Sequence, residues 1–290
     1  MKLDIFSHCT IDTIELDGSV TEQIGGVSCY GGLTARKLKF EVNLHTKFGP
    51  DFPHDEYLVK NKLTHENAQS SKPTTRFTIK LSGTDRMMYL TNTCESIEYS
   101  TSKADGFLVS PVFDEIPTEI FENLKKDCDF IFLDPQGFLR RVDTEKKVFL
   151  EKTDINLSQI NAIKLSRDEI ISLTDGATIS DMKSIQKRGV KHVLLTEKKE
   201  ISLLVNDRIY SITLPNNKVY DTTGLGDIFF TTFCCTLLKE SDFLWALCFA
   251  GGAAQAALDT KEFGLNKIPE KNDIETNGSY FYNTVKFKQV

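Results

Sequence analysis

The sequence lacks the excess of positive charge that nucleic-acid and membrane-surface proteins carry. Its 290 residues contain 35 lysines and arginines against 41 aspartates and glutamates, a formal net charge of −6. Such a balance gives neither a basic face for phosphate backbones nor a polybasic segment for anionic lipids. We therefore predict no nucleic-acid partner and no membrane partner. We expect any anionic substrate to be bound by local groups of its binding site rather than attracted by the overall charge of the protein.

Cysteines are few and lack the spacings that bind metals. Seven of them lie at positions 9, 29, 94, 128, 234, 235 and 248, an odd count without a CxxC pair. This pattern predicts neither a disulfide framework nor a zinc site. Reduced thiols are typical of an intracellular compartment, so we expect a cytoplasmic protein.

Long apolar runs are also missing. The most apolar stretch is 243–258, bounded by Asp242 and Asp259, and it is shorter than the roughly 20 residues of a membrane span. The first residues, MKLDIFSHCTID, lack the cationic start and long apolar core of a signal peptide. We expect a buried helix at 243–258 and no membrane segment.

Short apolar runs alternate with longer helical patterns along the chain. Runs at 3–9, 42–48, 106–113, 130–135, 160–166 and 192–197 are typical of strands buried on both faces. Helical patterns at 28–40, 117–127, 167–174 and 180–189 lie between several of them. This alternation predicts an α/β fold with a mostly parallel sheet, and the length suits a single domain over 1–290.

Two stretches depart from this alternation. Residues 13–24 and 74–100 alternate polar and apolar side chains, as half-exposed strands do, and SGTD at 82–85 is typical of a hairpin turn. Both insertions are too short to be domains. We expect them to form a small sheet that covers one edge of the main layer as a lid.

The stretch DTTGLGDIFF at 221–230 joins a glycine-rich turn directly to an apolar helix. Gly224 and Gly226 let the backbone turn tightly and bring its N–H groups close to a ligand. Together with the amide of Leu225, these groups lie where a helix begins and its dipole is positive. The stretch therefore predicts an anion hole suited to phosphate.

Asp227 places a carboxylate directly beside this anion hole. Such a group is unfavourable for binding phosphate alone, but it is useful if it takes a proton from a hydroxyl that attacks phosphorus. We therefore predict that Asp227 is a general base. The alternative is a plain strand-to-helix turn in which Asp227 caps the helix, the reading that an isolated GxGD would favour.

The residues Asp221-Thr222-Thr223-Gly224-Leu225-Gly226-Asp227 resemble the D-T-x-G-A-G-D signature of the ribokinase-like, or PfkB, carbohydrate kinase family. Leu225 replaces the alanine of the signature. The functional group at that position is the backbone N–H, which leucine retains. The resemblance covers essentially the full length and implies a three-layer α/β/α fold with a mostly parallel sheet and a small β lid. The lid would be formed by insertions at about 13–26 and 63–102.

The family also has an acceptor site, which the resemblance places in the first half of this chain. It implies that Asp12 holds substrate hydroxyls and that Gly25 and Gly26 line the site. Tyr30 stands where many members have asparagine, so the acceptor is not expected to be held as ribose is. Gln136 follows a predicted strand, where ligands bind in open α/β sheets, and we include it in the acceptor site, with a plain turn role as the alternative.

The GGxxxY spacing at 25–30, with SPVFDEIP at 110–117 and LDPQGFLRR at 133–141, is most similar to an archaeal-type branch of the family. Some members of that branch phosphorylate myo-inositol or nucleosides.

On the donor side the resemblance implies ATP and Mg²⁺, and it allows a monovalent cation. The family's N-x-x-E motif becomes Ser166 and Glu169, which retains a carboxylate that acts on Mg²⁺ through water. Lys164, Thr196 and Thr223 are the expected nucleotide contacts, although both glycines of the family's T-x-G-x-x-G motif are absent after Thr196. No GxxxxGK[ST] occurs, so a P-loop is excluded.

The sequence thus predicts a kinase that phosphorylates a hydroxyl of a sugar, polyol or nucleoside, with ATP as donor and Asp227 as base. The alternative is a non-catalytic sensor on the same fold, which the loss of the donor-side glycines would favour. Retention of Asp227 beside the anion hole argues against it, because binding alone needs no base. An exposed lid edge would also suit a homodimer.

Overall fold

A computed structural model describes residues 1–82, 85–215, 222–260 and 262–290. Within these residues the strands are β1 (Lys2–Phe6), β2 (Thr10–Leu16), β3 (Ser19–Gly25), β4 (Glu41–His45), β5 (Thr64–His65), β6 (Thr75–Ser82), β7 (Asp85–Asn92), β8 (Gly106–Val109), β9 (Ile131–Leu133), β10 (Arg140–Val142), β11 (Val148–Leu150), β12 (Ala162–Ser166), β13 (His192–Glu197), β14 (Glu200–Val205), β15 (Arg208–Thr213) and β16 (Lys286–Gln289). The helices are α1 (Val27–Lys37), α2 (Ile120–Asp127), α3 (Gln136–Leu139), α4 (Arg167–Leu173), α5 (Ile179–Lys187), α6 (Leu225–Glu240), α7 (Phe243–Asp259) and α8 (Lys271–Thr284). A π-helical turn spans Asp55–Val59 and a 3-10 turn spans Gly264–Lys267.

The main sheet runs in the order β16-β15-β14-β13-β12-β9-β8-β1-β4-β5. From β13 to β5 neighbouring strands are parallel, while β14, β15 and β16 extend the sheet as antiparallel strands. The carboxyl ends of the parallel strands therefore meet at one edge, which is where ligands bind in open sheets.

Helices cover both faces of this sheet because its strands present apolar side chains alternately to each side. Leu3 and Ile5 point to a core shared with α1, α6 and α7. Phe6, the next residue of β1, points to a second core shared with α2, α4 and α5. This three-layer arrangement confirms the predicted α/β/α fold class, including its mostly parallel sheet.

A separate four-stranded sheet, in the order β3-β2-β6-β7, forms the lid. Alternate residues Phe77 and Ile79 of β6 and Leu90 of β7 point to one face, where they pack with Val112 from the body of the molecule. The lid is therefore anchored to the main domain by an apolar cluster. The centre of the expected hairpin turn, residues 83–84, lies outside the described part of the chain, as does Asp221 of the glycine-rich stretch.

The apolar stretch after Asp242 forms helix α7, whose first turn is capped by the Asp242 carboxylate. Most of its side chains are buried, as expected from the sequence. Among the described residues, no helix is long and apolar enough to cross a membrane.

Candidate active site

A cavity of about 290 Å³ lies at the carboxyl edge of the parallel strands, beneath the lid. Its lining comes from distant parts of the chain: Thr10, Asp12, Gly26, Tyr30, Phe77, Ile79, Arg86, Met88, Val112, Gln136, Arg140, Lys164, Ser166, Glu169, Thr222, Thr223, Gly224, Gly226 and Asp227. Most of the predicted site residues are therefore brought together in one place.

The glycine-rich turn leads into helix α6 as the sequence indicated. Gly224 is the N-cap of this helix and has a left-handed backbone, with φ of 74°. A Cβ at this position would lie 2.5 Å from the ring of Tyr30, so glycine is required both by conformation and by space. The amide of Leu225 donates to the carbonyl of Thr222 at 3.2 Å, and Gly226 and Asp227 follow in the first helical turn, where N–H groups lack acceptors within the helix.

Asp227 is half-buried in this first turn and lines the cavity. Burial raises the pKa of its carboxyl group above the usual range for aspartate, although four cationic side chains nearby oppose the shift: Lys164, Arg140, Arg86 and Lys267. A carboxylate whose proton affinity is raised in this way is better suited to accept a proton from an alcohol than a solvated one.

Asp12 faces the same cavity from strand β2 of the lid. Its side chain is 6% exposed, and burial raises its pKa to about 6 against the opposing charges of Arg86 and Arg140. The Oδ1 atom of Asp12 has no hydrogen-bond partner among the described residues, while the Thr10 hydroxyl interacts with the Asp12 carboxylate. A buried polar atom without a partner is costly, so the Asp12 Oδ1 atom marks a place where a ligand can supply a hydrogen bond.

The glycine pair shapes the floor beside Asp12. A Cβ on Gly25 would lie 2.4 Å from the Asp12 carboxylate and 2.6 Å from the Thr10 hydroxyl. Gly26 has a φ of 82°, and a Cβ there would lie 2.4 Å from the carbonyl oxygen of His8. Both positions need glycine so that helix α1 can begin close to the two polar side chains of β2.

Tyr30 is 1% exposed, so its side chain is buried. Its ring packs against Gly224 and joins the first helix to the glycine-rich turn. Tyr30 therefore supports the turn from below while lining the bottom of the cavity.

Gln136 and Arg140 lie one helical turn apart after strand β9. The Gln136 Oε1 atom accepts a hydrogen bond from Arg140 at 2.7 Å, and Arg140 also donates to the carbonyl of Val112 at 2.8 Å. The guanidinium lies 5.8 Å from the ring centre of Phe77 on the lid. These contacts hold Arg140 in the cavity wall. The sequence analysis did not assign Arg140 to the site, although its spacing of four residues from Gln136 could have indicated a contact between the two side chains.

Lys164 and Asp134 form a buried ion pair on the other side of the cavity. The Lys164 ammonium is 2.6 Å from the Asp134 carboxylate. Burial lowers the pKa of Lys164, but the carboxylates of Asp134, Glu169 and Asp227 outweigh this effect and raise it, so the lysine stays charged. Its ammonium also lies 3.5 Å from where a Cβ on Gly226 would be, so it reaches the anion-hole turn.

Ser166 and Glu169 cap helix α4 by a reciprocal pair of hydrogen bonds. The Glu169 carboxylate accepts from the Ser166 amide at 2.6 Å, and the Ser166 hydroxyl accepts from the Glu169 amide at 3.3 Å. The replacement of the family's asparagine by serine thus gives a capping box. Glu169 lines the cavity and keeps an oxygen that can meet a water ligand of a metal.

Thr223 is buried and lines the cavity beside the turn, whereas Thr196 is absent from the lining among the described residues. Thr196 is the penultimate residue of strand β13, and its hydroxyl donates to the carbonyl of Leu165 at 3.3 Å. The hydroxyl can donate to a nucleotide only by giving up that bond, although it can still accept one.

Solved structures of ribokinase-family kinases share this fold. A pyrophosphate-dependent kinase of the ribokinase family, complexed with a pyrophosphate analogue and myo-inositol, has a TM-score of 0.82 at 19% identity, over 94% of this chain and 99% of that one. Arabidopsis thaliana ribokinase with ribose and ATP has a TM-score of 0.74 at 17% identity over 96% and 98%. The Methanocaldococcus jannaschii nucleoside kinase gives 0.74 at 16% over 97% and 99%. The fold is that of a ribokinase-like kinase.

The family itself follows from the sequence match. Residues 79–270, more than half of the chain, match the model of the pfkB family carbohydrate kinases, and the chain belongs to that family. The protein is therefore a phosphotransferase that acts on a hydroxyl group of a small molecule. No curated protein matches the sequence significantly.

Proposed function

We propose that the protein transfers the terminal phosphoryl group of ATP to a hydroxyl of a small polyol, sugar or nucleoside, with Asp227 as the general base. One observation carries this proposal: Asp227 lies in the first turn of α6, beside the anion-hole turn, and faces the same cavity as the buried carboxylate of Asp12. A base next to phosphate-binding amides suits in-line attack by an alcohol.

The acceptor is bound between the lid and the first helix. Asp12 accepts hydrogen bonds from two of its hydroxyls, and Gly25 and Gly26 leave the room for it. Tyr30 forms the bottom of the site and Gln136 its side, while Phe77 and Ile79 cover an apolar face of the ring. An acceptor held in this way presents one hydroxyl to Asp227 and is shielded from water by the lid.

The donor lies on the other side, over the anion-hole turn. The amides of Gly224, Gly226 and Asp227 and the Lys164 ammonium bind its phosphates, since the Leu225 amide already donates to Thr222. Thr223 lies beside the phosphates, and the nucleotide extends towards the end of β13 near Thr196. Glu169 is the residue that fits Mg²⁺ through a bridging water. The described residues contain no group of three acidic, histidine or cysteine side chains that could hold the ion directly. Bound Mg²⁺ would neutralise negative charge on the phosphates.

Pyrophosphate is a second candidate donor, which one observation favours. The strand end that would meet a nucleotide closes tightly: Glu197 pairs with Glu200 across a two-residue hairpin, and the Thr196 hydroxyl is already bonded to Leu165. Lys164 and the glycine-rich turn offer contacts to phosphate alone. A pyrophosphate-dependent kinase of the same fold gives a precedent for this chemistry.

The sensor alternative is less well supported than the kinase. A sensor would keep the polar groups that bind ligand, but it would not need Asp227 to be half-buried with a raised proton affinity. The seven buried, unbridged cysteines support a reducing compartment such as the cytoplasm. A homodimer through the lid remains part of the proposal, because β3 is an edge strand of the lid sheet.

The experiment crosses two donors with a panel of acceptors. Purified protein is incubated with Mg²⁺ and either ATP or pyrophosphate, together with inositols, pentoses, hexoses or nucleosides, and phosphorylated products are detected by mass spectrometry. The proposal expects one acceptor class to be phosphorylated by one donor. Tight binding of a donor without turnover of any acceptor would instead support the sensor.

A further inference from the structure

Arg140 and Lys164 both bring positive charge into the cavity, but they are held in different ways. The Lys164 ammonium is paired with the Asp134 carboxylate at 2.6 Å, so its charge is balanced by direct contact. Arg140 donates instead to two neutral acceptors, the Gln136 side chain at 2.7 Å and the Val112 carbonyl at 2.8 Å. Within the part of the chain that the structure describes, Arg140 forms no ion pair with a carboxylate.

Strand β10 directs Arg140 towards the cavity. Consecutive side chains of a strand point to opposite faces, and Arg140 and Arg141 are the first two residues of β10. Arg140 lines the cavity, whereas Arg141 pairs with Glu151 at 3.1 Å and is not part of the lining formed by the described residues. The two hydrogen bonds of Arg140 fix its guanidinium and still leave N–H groups for a ligand.

The charge of Arg140 acts on both carboxylates that face the acceptor. Burial raises the pKa of Asp227 and of Asp12, and Arg140 opposes the shift in both cases. At Asp227 only Lys164 has a larger opposing effect among the charged groups. The guanidinium is therefore close to the space in which an acceptor hydroxyl and the incoming phosphoryl group have to meet.

We propose that Arg140 is a catalytic residue whose guanidinium binds the transferred phosphoryl group from the acceptor side. During transfer the acceptor oxygen forms a bond to phosphorus, the bond from phosphorus to the leaving phosphate breaks, and the hydroxyl proton passes to Asp227. The other oxygens of the phosphoryl group stay negatively charged, and Arg140 contacts them opposite the amides of the glycine-rich turn. This inference rests on the proposed function.

An anionic substituent on the acceptor is a less suitable partner for Arg140. Asp12, which holds the acceptor, is a buried carboxylate and would repel a second negative charge in the same site. The phosphoryl group, by contrast, brings negative charge to Arg140 whichever acceptor is bound. An arginine without a carboxylate partner is suited to that task, because its donors match phosphate oxygens.

The first test removes the charge and uses a neutral acceptor. Arg140→Met should lower kcat about 10²–10³-fold, because the transferred group loses a charged donor, and should change the KM of the acceptor by no more than about threefold. Arg141→Met is the matched control, since Arg141 is the adjacent half-buried arginine, and its kcat should stay within about twofold of the unmodified protein.

Two results of this test would overturn the proposal. One is an equal loss of kcat in Arg140→Met and Arg141→Met, which would show a structural effect. The other is a raised KM of the acceptor with unchanged kcat, which would show that Arg140 only binds the acceptor. If Arg140→Met does not fold, Arg140→Gln takes its place, because glutamine is neutral and can still donate to the Val112 carbonyl.

A second variant keeps the charge but not the planar set of donors. Arg140→Lys can still attract the phosphoryl oxygens as a point charge, so its kcat should be at least about tenfold higher than that of Arg140→Met. An Arg140→Lys protein that is no faster than the neutral variant would contradict the role of the charge.

Calorimetry with a mimic of the transferred group separates this inference from the proposed function. Aluminium fluoride is added with Mg²⁺ and a donor product, which is ADP if ATP is the donor and inorganic phosphate if pyrophosphate is. Aluminium fluoride should tighten the binding of one product at least about tenfold in the unmodified protein and in Arg141→Met, but not in Arg140→Met. The product alone should bind all three proteins equally.

The two ways in which this experiment can fail are distinct. No gain from aluminium fluoride with either product in the unmodified protein would overturn the proposed function, and this inference with it. A gain that Arg140→Met retains in full would overturn the role of Arg140 alone.

Discussion

The two sides of the cavity differ in how far their polar groups are already satisfied. On the donor side Lys164 is paired with Asp134, and Glu169 with the Ser166 amide. On the acceptor side the Asp12 Oδ1 atom is buried without a partner among the described residues. The donor side is therefore organised before any ligand binds, whereas the acceptor side is costly until an acceptor supplies hydrogen bonds.

The largest effect should come from breaking the donor-side ion pair. Lys164→Met removes a cation from the anion hole, so kcat should fall about 10²–10³-fold. It also leaves the buried Asp134 carboxylate unpaired, so unfolding free energy should drop by about 3–5 kcal/mol. Steady-state kinetics and urea unfolding measure the two losses.

The double variant Lys164→Met/Asp134→Asn is the control for that loss. It removes both charges, so stability should return while activity does not. Recovery of activity together with stability would show that Lys164 serves the fold alone.

Removing the buried charge on the acceptor side should stabilise the protein, whereas removing Lys164 destabilises it, because the charged form of Asp12 destabilises the folded state. Asp12 keeps its proton up to about pH 6 in the folded protein, against 3.8 for an ordinary aspartate. Folded-state stability is therefore lost as the pH rises from 3.8 to about 6, and the full loss is present above that window. Asp12→Asn should raise the unfolding free energy by about 2–3 kcal/mol at neutral pH and have little effect below pH ~4.

The same variant should weaken acceptor binding, since an amide replaces a charged hydrogen-bond acceptor. The KM of the acceptor should rise about tenfold or more, while the KM of the donor changes little. A stability gain that is equal at low and neutral pH would contradict the raised proton affinity of Asp12.

A smaller effect is expected at the capping box of α4. Ser166→Ala should lower unfolding free energy by about 1 kcal/mol and leave kcat unchanged, because the hydroxyl caps a helix. Thr178→Ala is a matched control, since Thr178 forms the same box at α5. If Ser166→Ala reduces kcat and Thr178→Ala does not, the Ser166 hydroxyl acts on the donor.

The smallest effect is expected at Thr196. Its hydroxyl is bonded to Leu165, so Thr196→Val should change the KM of either donor by no more than about twofold. A large rise in the KM of ATP alone would show that the hydroxyl contacts the nucleotide directly, and would sharpen the distinction between the two donors.

Local spacing explains which parts of the site could be predicted from the sequence. The turn before α6, the glycine pair before α1 and Asp12 are each short patterns whose geometry follows from adjacent residues. The alternation of strands and helices likewise predicted the layers. Where the function of a residue depends on its immediate neighbours, the sequence carried enough information.

The residues that were missed come together only through the topology. Arg140 meets Phe77 on the lid, Asp134 pairs with Lys164 on a neighbouring strand, and Lys267 reaches Tyr30 from the end of another helix. No spacing along the chain encodes these long-range contacts. The antiparallel extension by β14–β16 was also missed.

The most direct measurement replaces the carboxylate that should take the acceptor's proton. Asp227→Asn keeps the shape of the side chain, but it cannot act as a base. With the true donor and acceptor, kcat should fall by about 10²–10⁴-fold while the KM of the acceptor and the unfolding free energy change little. A kcat for Asp227→Asn within about twofold of the unmodified protein would contradict the account.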